Sequence, residues 1–264
     1  MIKHFIVTGD THGDVQTRLS NIKKNMPNYD PVETGIIILG DVGLNFWLNK
    51  SDYKKKKYLQ TFFKYTIYGV RGNHEERPEN IDTYHLVYDE NVQGSVWVED
   101  EFPNIKFFKD GGIYSINGYR TLVIGGAYSI DKWYRLGGLT VEENNPKKTG
   151  WFNDEMLTTE EMNKIYSEVN GQHFDLILTH TCPVSNEPTD LFLNFIDQSI
   201  VDKSMEQFLE KIKNNVLWDV WLFGHYHANQ IEAPGMQMFF NGYQNLKEIM
   251  KRWAEYRQTN YLDW

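Results

Sequence analysis

Thr66-Ile67-Tyr68-Gly69-Val70-Arg71-Gly72-Asn73-His74-Glu75 is the stretch on which the reading of this chain turns. Its first half is apolar and β-prone, the composition of a buried strand. Its second half is polar and carries Gly72, where a backbone without Cβ can come close to an ion or ligand. Asn73 offers a neutral carbonyl oxygen to a metal. His74 is then placed beside the metal without having to bind it, where it can act as a general acid.

The same grammar recurs on either side. Phe5-Ile6-Val7-Thr8 leads into Asp10-Thr11-His12, bracketed by Gly9 and Gly13. A spacing of i, i+2 on extended backbone puts both side chains on one side, within reach of one ion. Ile36-Ile37-Ile38-Leu39 leads into Gly40-Asp41-Val42-Gly43, and its apolar run fits a strand covered on both faces. The two oxygens of Asp41 can bridge two cations. Asp175 to Thr179 precedes His180-Thr181-Cys182-Pro183, and Val220 to Phe223 precedes Gly224-His225-Tyr226-His227. Taken singly, Asp-x-His is most often a surface pair, Gly-Asp a turn and a lone histidine a structural group. Five strand ends that each deliver metal-ligand side chains point instead to one two-metal centre suited to phosphoester hydrolysis.

In this ordered set, Asp10-x-His12, Gly40-Asp41, Gly72-Asn73-His74-Glu75, His180 and Gly224-His225-x-His227, the chain resembles the calcineurin-like metallophosphoesterases. Gly125-Gly126-Ala127-Tyr128-Ser129-Ile130-Asp131-Lys132 is similar to a compact bacterial and phage branch of that family. The resemblance implies one metal on Asp10, His12 and His227, a second on Asn73, His180 and His225, Asp41 between them, and His74 as proton donor to the leaving group. It also implies two divalent ions with a bridging hydroxide as nucleophile. The mixed carboxylate, amide and imidazole ligands suit Mn first, and Fe, Zn, Co or Ni as well. One departure stands out. Many members read Gly-Asp-x-x-Asp, the second Asp orienting the catalytic histidine, and here that place is Leu44. The Arg-Gly that follows in the protein phosphatases of the family is replaced by Asn45-Phe46, which disfavours a protein-phosphatase identity.

Length and periodicity complete the expectation. The 264 residues suit a single calcineurin-like phosphoesterase domain over 1–264. The fold expected is α/β, a four-layer sandwich of two facing mixed β-sheets flanked by helices. Amphipathic helices are expected over 15–24, 53–64, 158–169, 201–214 and 244–257. A strand-rich middle is expected over 95–99, 105–108, 113–116 and 120–125, with Asn117-Gly118 as a hairpin turn, and a last strand over 236–240. The charge of 27 − 36 = −9 carries no nucleic-acid footprint, so the expected partner is a small phosphoester. A nuclease and a catalytically inactive metal-binding scaffold are the rival readings. The single Cys182, which only fills space, fits a reducing, cytoplasmic compartment, and neither a signal peptide nor a membrane-length apolar run is seen.

Lys54-Lys55-Lys56-Lys57 reads as a solvated helix face. His4, His85 and His173 have no motif around them. The loop-like run 127–138 holds Asp131, Lys132, Trp133, Tyr134 and Arg135, and reads equally as a substrate-facing loop or a surface insertion. Lys132 and Arg135 are its candidate substrate-binding cations. Arg71, just before Gly72, reads as a structural partner for nearby acids. The choice between monoester and diester, the orienter of His74 and the oligomeric state stay open at this level.

Overall fold

The computed structural model describes residues 1–194 and 196–259. In chain order the strands and helices are β1 His4–Thr8, α1 Val15–Asn25, β2 Thr34–Ile38, α2 Lys50–Phe62 and β3 Thr66–Gly69. There follow β4 Tyr84–Asp89, β5 Gly94–Glu99, β6 Ile105–Phe108, β7 Gly112–Ile116 and β8 Tyr119–Ile124. After the short helices α3 Lys132–Leu136 and α4 Pro146–Thr149 come α5 Thr159–Val169, β9 His173–Thr179, α6 Ser204–Asn215 and β10 Leu217–Phe223. The chain then runs through β11 Gln230–Ala233, β12 Met236–Met238, β13 Tyr243–Asn245 and α7 Leu246–Thr259.

Seven strands form one sheet in the order β13-β1-β2-β3-β6-β5-β4, and six form the other in the order β11-β12-β10-β9-β8-β7. The middle strands β1, β2, β3 and β6 are mutually parallel, as are β12, β10, β9 and β8. Antiparallel strands close the edges.

Alternation along the strands builds the layers. Phe5, Val7, Ile37, Leu39, Tyr68 and Val70 of the first sheet meet Val123, Leu176, Leu178, Val220 and Leu222 of the second in one buried cluster between the sheets. The intervening Ile6, Ile36, Ile38 and Ile67 face outward, onto Val15, Leu19 and Ile22 of α1 and Leu59 of α2. Leu122, Ile124, Phe174, Ile177, Trp221 and Phe223 face outward onto Ile165 of α5 and Phe208, Leu209 and Ile212 of α6. Helix, sheet, sheet and helix are the four layers expected. Strands apolar on both faces are what a parallel sheet between two covers requires. Helix α7 joins the central cluster through Leu246, Ile249, Met250 and Trp253, against β1 and β10.

Several details differ from the sequence expectation. Helix α2 begins at Lys50, because the side chain of Asn49 caps it by accepting from the Ser51 N–H at 2.7 Å. Lys56 is not solvated: it is buried, paired with Glu99 at 2.5 Å and set over the Tyr84 ring. The run 127–138 is not all loop, since α3 occupies Lys132–Leu136 and Gly137 ends it in left-handed backbone at φ 60°. The turn Asn117-Gly118 is as expected, both residues having positive φ between β7 and β8. No helix among the described residues is long and apolar enough to cross a membrane.

Candidate metal centre

All five motifs lie at the carboxyl ends of parallel strands, Asp10 and His12 after β1, Asp41 after β2, Asn73 and His74 after β3, His180 after β9, and His225 and His227 after β10. The crevice beyond the strand ends of a parallel sheet is where open α/β folds place their ligands. Here two such crevices face each other, and each carboxylate is held by a backbone N–H of another motif. Asp10 Oδ1 accepts from His225 N at 3.0 Å, and Asp41 Oδ1 accepts from His74 N at 2.8 Å.

Asp10, His12 and His227 form one converging group. His12 Nε2 lies 2.8 Å from His227 Nε2, and Asp10 Oδ2 lies 3.4 Å from His227 Nε2 and 3.9 Å from His12 Nε2. Around the second position, His180 Nε2 lies 2.8 Å from Asn73 Oδ1 and 3.6 Å from Asp41 Oδ1. The ring of His225 packs edge-on against that of His180 at 5.0 Å. The other oxygen of Asp41 faces His12 Nδ1 at 3.8 Å, so its carboxylate looks toward both groups. Donor atoms roughly 3–4 Å apart are what ligands show around a shared ion at bond lengths of about 2.0–2.2 Å. Asp10 Oδ2 is buried with no hydrogen-bond partner, as a carboxylate reserved for a cation would be. The donor set therefore fits divalent metals.

The supporting contacts fix which atoms point inward. His180 Nδ1 lies 2.8 Å from Leu39 O; donating there leaves Nε2 free as a ligand atom. Asn73 donates through Nδ2 to Ser129 Oγ at 2.8 Å, which turns its carbonyl oxygen inward. Ser129 is in turn held by Glu155 through both backbone N–H and hydroxyl. Glu75 accepts from Gly72 N at 3.1 Å and from Val42 N and Gly43 N at 3.3 Å, locking the loops of Asp41 and His74 together. Gly72 is required here, because a Cβ would stand 2.0 Å from Asp41 Oδ1.

Electrostatics reflect carboxylates and imidazoles facing each other at close range. Burial opposes charge on His180, yet the adjoining Asp41, with Asp10 behind it, holds its pKa up at about 9. Burial likewise works against the Asp41 carboxylate, but the His180 and His74 imidazoles keep it well below the ordinary range. In His225, burial and the neighbouring His180 push the pKa down to about 3, which leaves a neutral, ligand-competent ring. Burial, then the Asp41 charge, lifts Glu75 to about 7. His74 is lowered by burial, with Asp41 and Asp131 acting in the opposite direction. Its Nδ1 is buried and makes no hydrogen bond, and neither does Oδ1 of Asp131.

The structure thus gathers Asp10, His12, Asp41, Asn73, His74, His180, His225 and His227 in one place. Leu44 is fully buried in the outer core, away from any orienting role. Lys132 and Arg135 do not line the cavity above the centre, which has a volume of about 450 Å³ and is lined by Asp41, Asn73, His74, His225, His227 and Asp131 among others. Arg135 gives Nε to Asp131 Oδ2 at 2.7 Å and a second nitrogen to Gly150 O at 3.1 Å. The Lys132 ammonium lies over the Trp151 and Trp133 rings. Arg71 is buried, with Nε on Asp110 Oδ2 at 2.7 Å and another nitrogen on Glu155 O at 2.8 Å. Sequence reasoning had no task for Glu75, Ser129, Asp131 or Glu155. Glu75 left a trace as an acid directly after the Asn-His pair, and Asp131 as a charge in the 127–138 run.

Comparison with curated proteins yields no match. The family model of the calcineurin-like phosphoesterases matches residues 3–229. That span takes in every residue of the metal centre and most of the 264-residue chain, which belongs to this family of metal-dependent phosphoester hydrolases.

Proposed function

We propose that the protein hydrolyses small phosphoesters at a dinuclear metal centre, with Asp10, His12 and His227 on one ion, Asn73, His180 and His225 on the other, and Asp41 between them. The observation that carries this reading is a pair of adjoining donor groups, Asp10, His12 and His227 in one and Asp10, Asp41 and His180 in the other, with Asp41 3.6 Å from His180 Nε2 and 3.8 Å from His12 Nδ1. When bound, two divalent cations, Mn foremost, lower the pKa of a water from about 15.7 toward about 7 and offset the charge on the phosphate.

The chain's own residues do the rest. Asn73, held by Ser129, and His180, held by Leu39 O, present preset donor atoms, so little reorganisation accompanies the reaction. His74 lines the cavity, where it would donate a proton to the departing oxygen. Burial lowers the pKa of His74 and Asp41 opposes that shift, while the paired Arg135 and Asp131 act on it in opposite directions. Arg135 would reach a phosphate oxygen only by exchanging its present partner, Asp131. The net charge of −9 and the acidic Asp131, Glu187 and Glu206 lining the cavity speak against the nuclease reading, because phosphate polymers are gripped by Lys and Arg. The retained His74 speaks against an inactive scaffold. The single buried Cys182 is consistent with a cytoplasmic setting.

The test is His74→Asn assayed with added Mn on aryl phosphomonoesters and phosphodiesters. Metal content is expected to stay near that of the parent, and turnover to fall by roughly 10²–10⁴-fold. The fall is expected to shrink for esters with good leaving groups, which need little protonation. Loss of metal, or an equal fall for good and poor leaving groups, would remove His74 from this role.

A further inference from the structure

The cavity above the metal centre is larger than a phosphate needs. Its volume is about 450 Å³, within the range of small-molecule sites. One end is the metal centre with His74. The other is built from the segment between β9 and α6, where Leu191, Phe192, Ile196 and Val201 supply an apolar wall, and from Tyr226, which lies between the two ligand histidines. The rings of Phe192 and Tyr226 are nearly parallel, at 20°, with centroids 6.3 Å apart. Both rings line the cavity between His225 and its far end.

The polar groups at that end are few and differ in state. Lys203 is engaged: its ammonium donates to Glu187 Oε1 at 2.6 Å and lies 4.7 Å above the Phe192 ring. Glu206 is buried, and one of its oxygens accepts from the Thr181 hydroxyl at 2.8 Å. The other, Oε2, is buried without any hydrogen-bond partner. A buried carboxyl oxygen left open beside a cavity can be satisfied by a group that enters the cavity, whether a water or a donor on a ligand. Burial pushes the Glu206 carboxyl up to about 7, so the site resists further negative charge.

We infer that this cavity receives the organic group of the substrate, and that the substrate is a phosphoester of a compact, uncharged ring bearing an N–H or O–H donor at its far edge. The inference rests on reading the metal centre as the site of phosphoester hydrolysis. The phosphate sits over the metal ligands, the ring lies along Phe192 and Tyr226, and the donor meets Glu206 Oε2. An anionic far edge would face Glu187 and Glu206 with the one nearby ammonium already paired. Polyphosphates and nucleic-acid strands therefore fit poorly, and small alkyl phosphates leave the wall uncovered.

Phosphonates, whose C–P bond resists hydrolysis, separate binding from turnover. Dissociation constants of methyl-, phenyl-, 1-naphthyl-, 4-aminophenyl- and 4-carboxyphenylphosphonate are measured on the Mn-loaded protein by calorimetry. The phenyl and naphthyl compounds are expected to bind at least tenfold more tightly than methylphosphonate, and the amino ring more tightly than the carboxylated one. In Val201→Trp, which fills the cavity, and in Phe192→Ala, which removes part of its wall, the naphthyl-to-methyl ratio is expected to fall toward one. Metal content equal to the parent's shows that each variant is folded. Equal affinities across the series, no binding by any member, or an unchanged ratio in both variants would overturn the inference. Ring-selective binding with no ester turned over would count against the hydrolase reading instead. Turnover without ring preference would overturn the cavity assignment alone.

Discussion

Asp41 stands in left-handed backbone at φ 45°, between two glycines that share the turn, with a carboxylate oxygen toward each donor group. His12 reaches only one group closely. On the proposed two-metal reading, Asp41→Asn is expected to lower occupancy at both positions, and His12→Ala to empty mainly one. Metal analysis of the two purified variants decides the matter, and the loss of a single ion in both would contradict the bridging place of Asp41. At this scale the candidate site was legible in combination: singly, His, Asp and Asn have commoner uses, but five such groups each directly after a buried strand point to one metal site. What stayed hidden were residues whose task depends on a neighbour far along the chain. Ser129 meets Asn73 across 56 positions, and Glu155 meets Ser129 across 26, with no local pattern to announce either contact. Asp131 was noticed as a charge in a loop, but nothing in its neighbours placed it on the wall shared with His74.

Between elements, Arg71 is the tie that matters most. It sits just past β3 in the first sheet and bonds Asp110 before β7, Gly125 just past β8 and Glu155 before α5. Arg71→Met would leave Asp110 and two carbonyls buried or half-buried without their partner. A loss of about 3–5 kcal/mol is expected, as for a broken buried ion pair. Urea unfolding of the metal-free variant checks it, and a change under about 1 kcal/mol, the level of an exposed pair, would show that the tie is dispensable. Legibility among elements followed burial. Strands β1, β2, β3, β9 and β10 are apolar on both faces and read plainly. Strand β4 did not, because it lies at a sheet edge with Leu86 and Tyr88 exposed, and Ile231 of β11 is exposed in the same way. Strand β13 is three residues long and runs straight into α7, so the helical period absorbed it. Helix α3 lasts five residues, too few to show a period at all.

Across the whole molecule, the two sheets meet where their strand ends carry buried carboxylates and imidazoles, so the core is least apolar at its functional end. Divalent ions bound there would tie both sheets together and stabilise the folded state over the unfolded one. At a free metal concentration 100 times the dissociation constant, the gain is about 2.7 kcal/mol per site. For a chain of this size that corresponds to roughly 5–10 °C in melting temperature. Chelation is expected to lower the melting temperature by that order and Mn to restore it; an unchanged transition would mean that the donors are not linked to folding. The left-handed backbone has a further consequence. His12, Asp41, His225 and His227 all have positive φ, between 45° and 69°. Such residues cost on the order of 1–2 kcal/mol each where Gly or Asn would sit more easily. Metal binding is a use that favours His and Asp there, beside the backbone bond that Asp41 accepts from His74 N. In any descendant lineage released from that use, drift at these four positions runs downhill toward Gly and Asn, so the backbone would record the loss of chemistry as a gain in intrinsic stability.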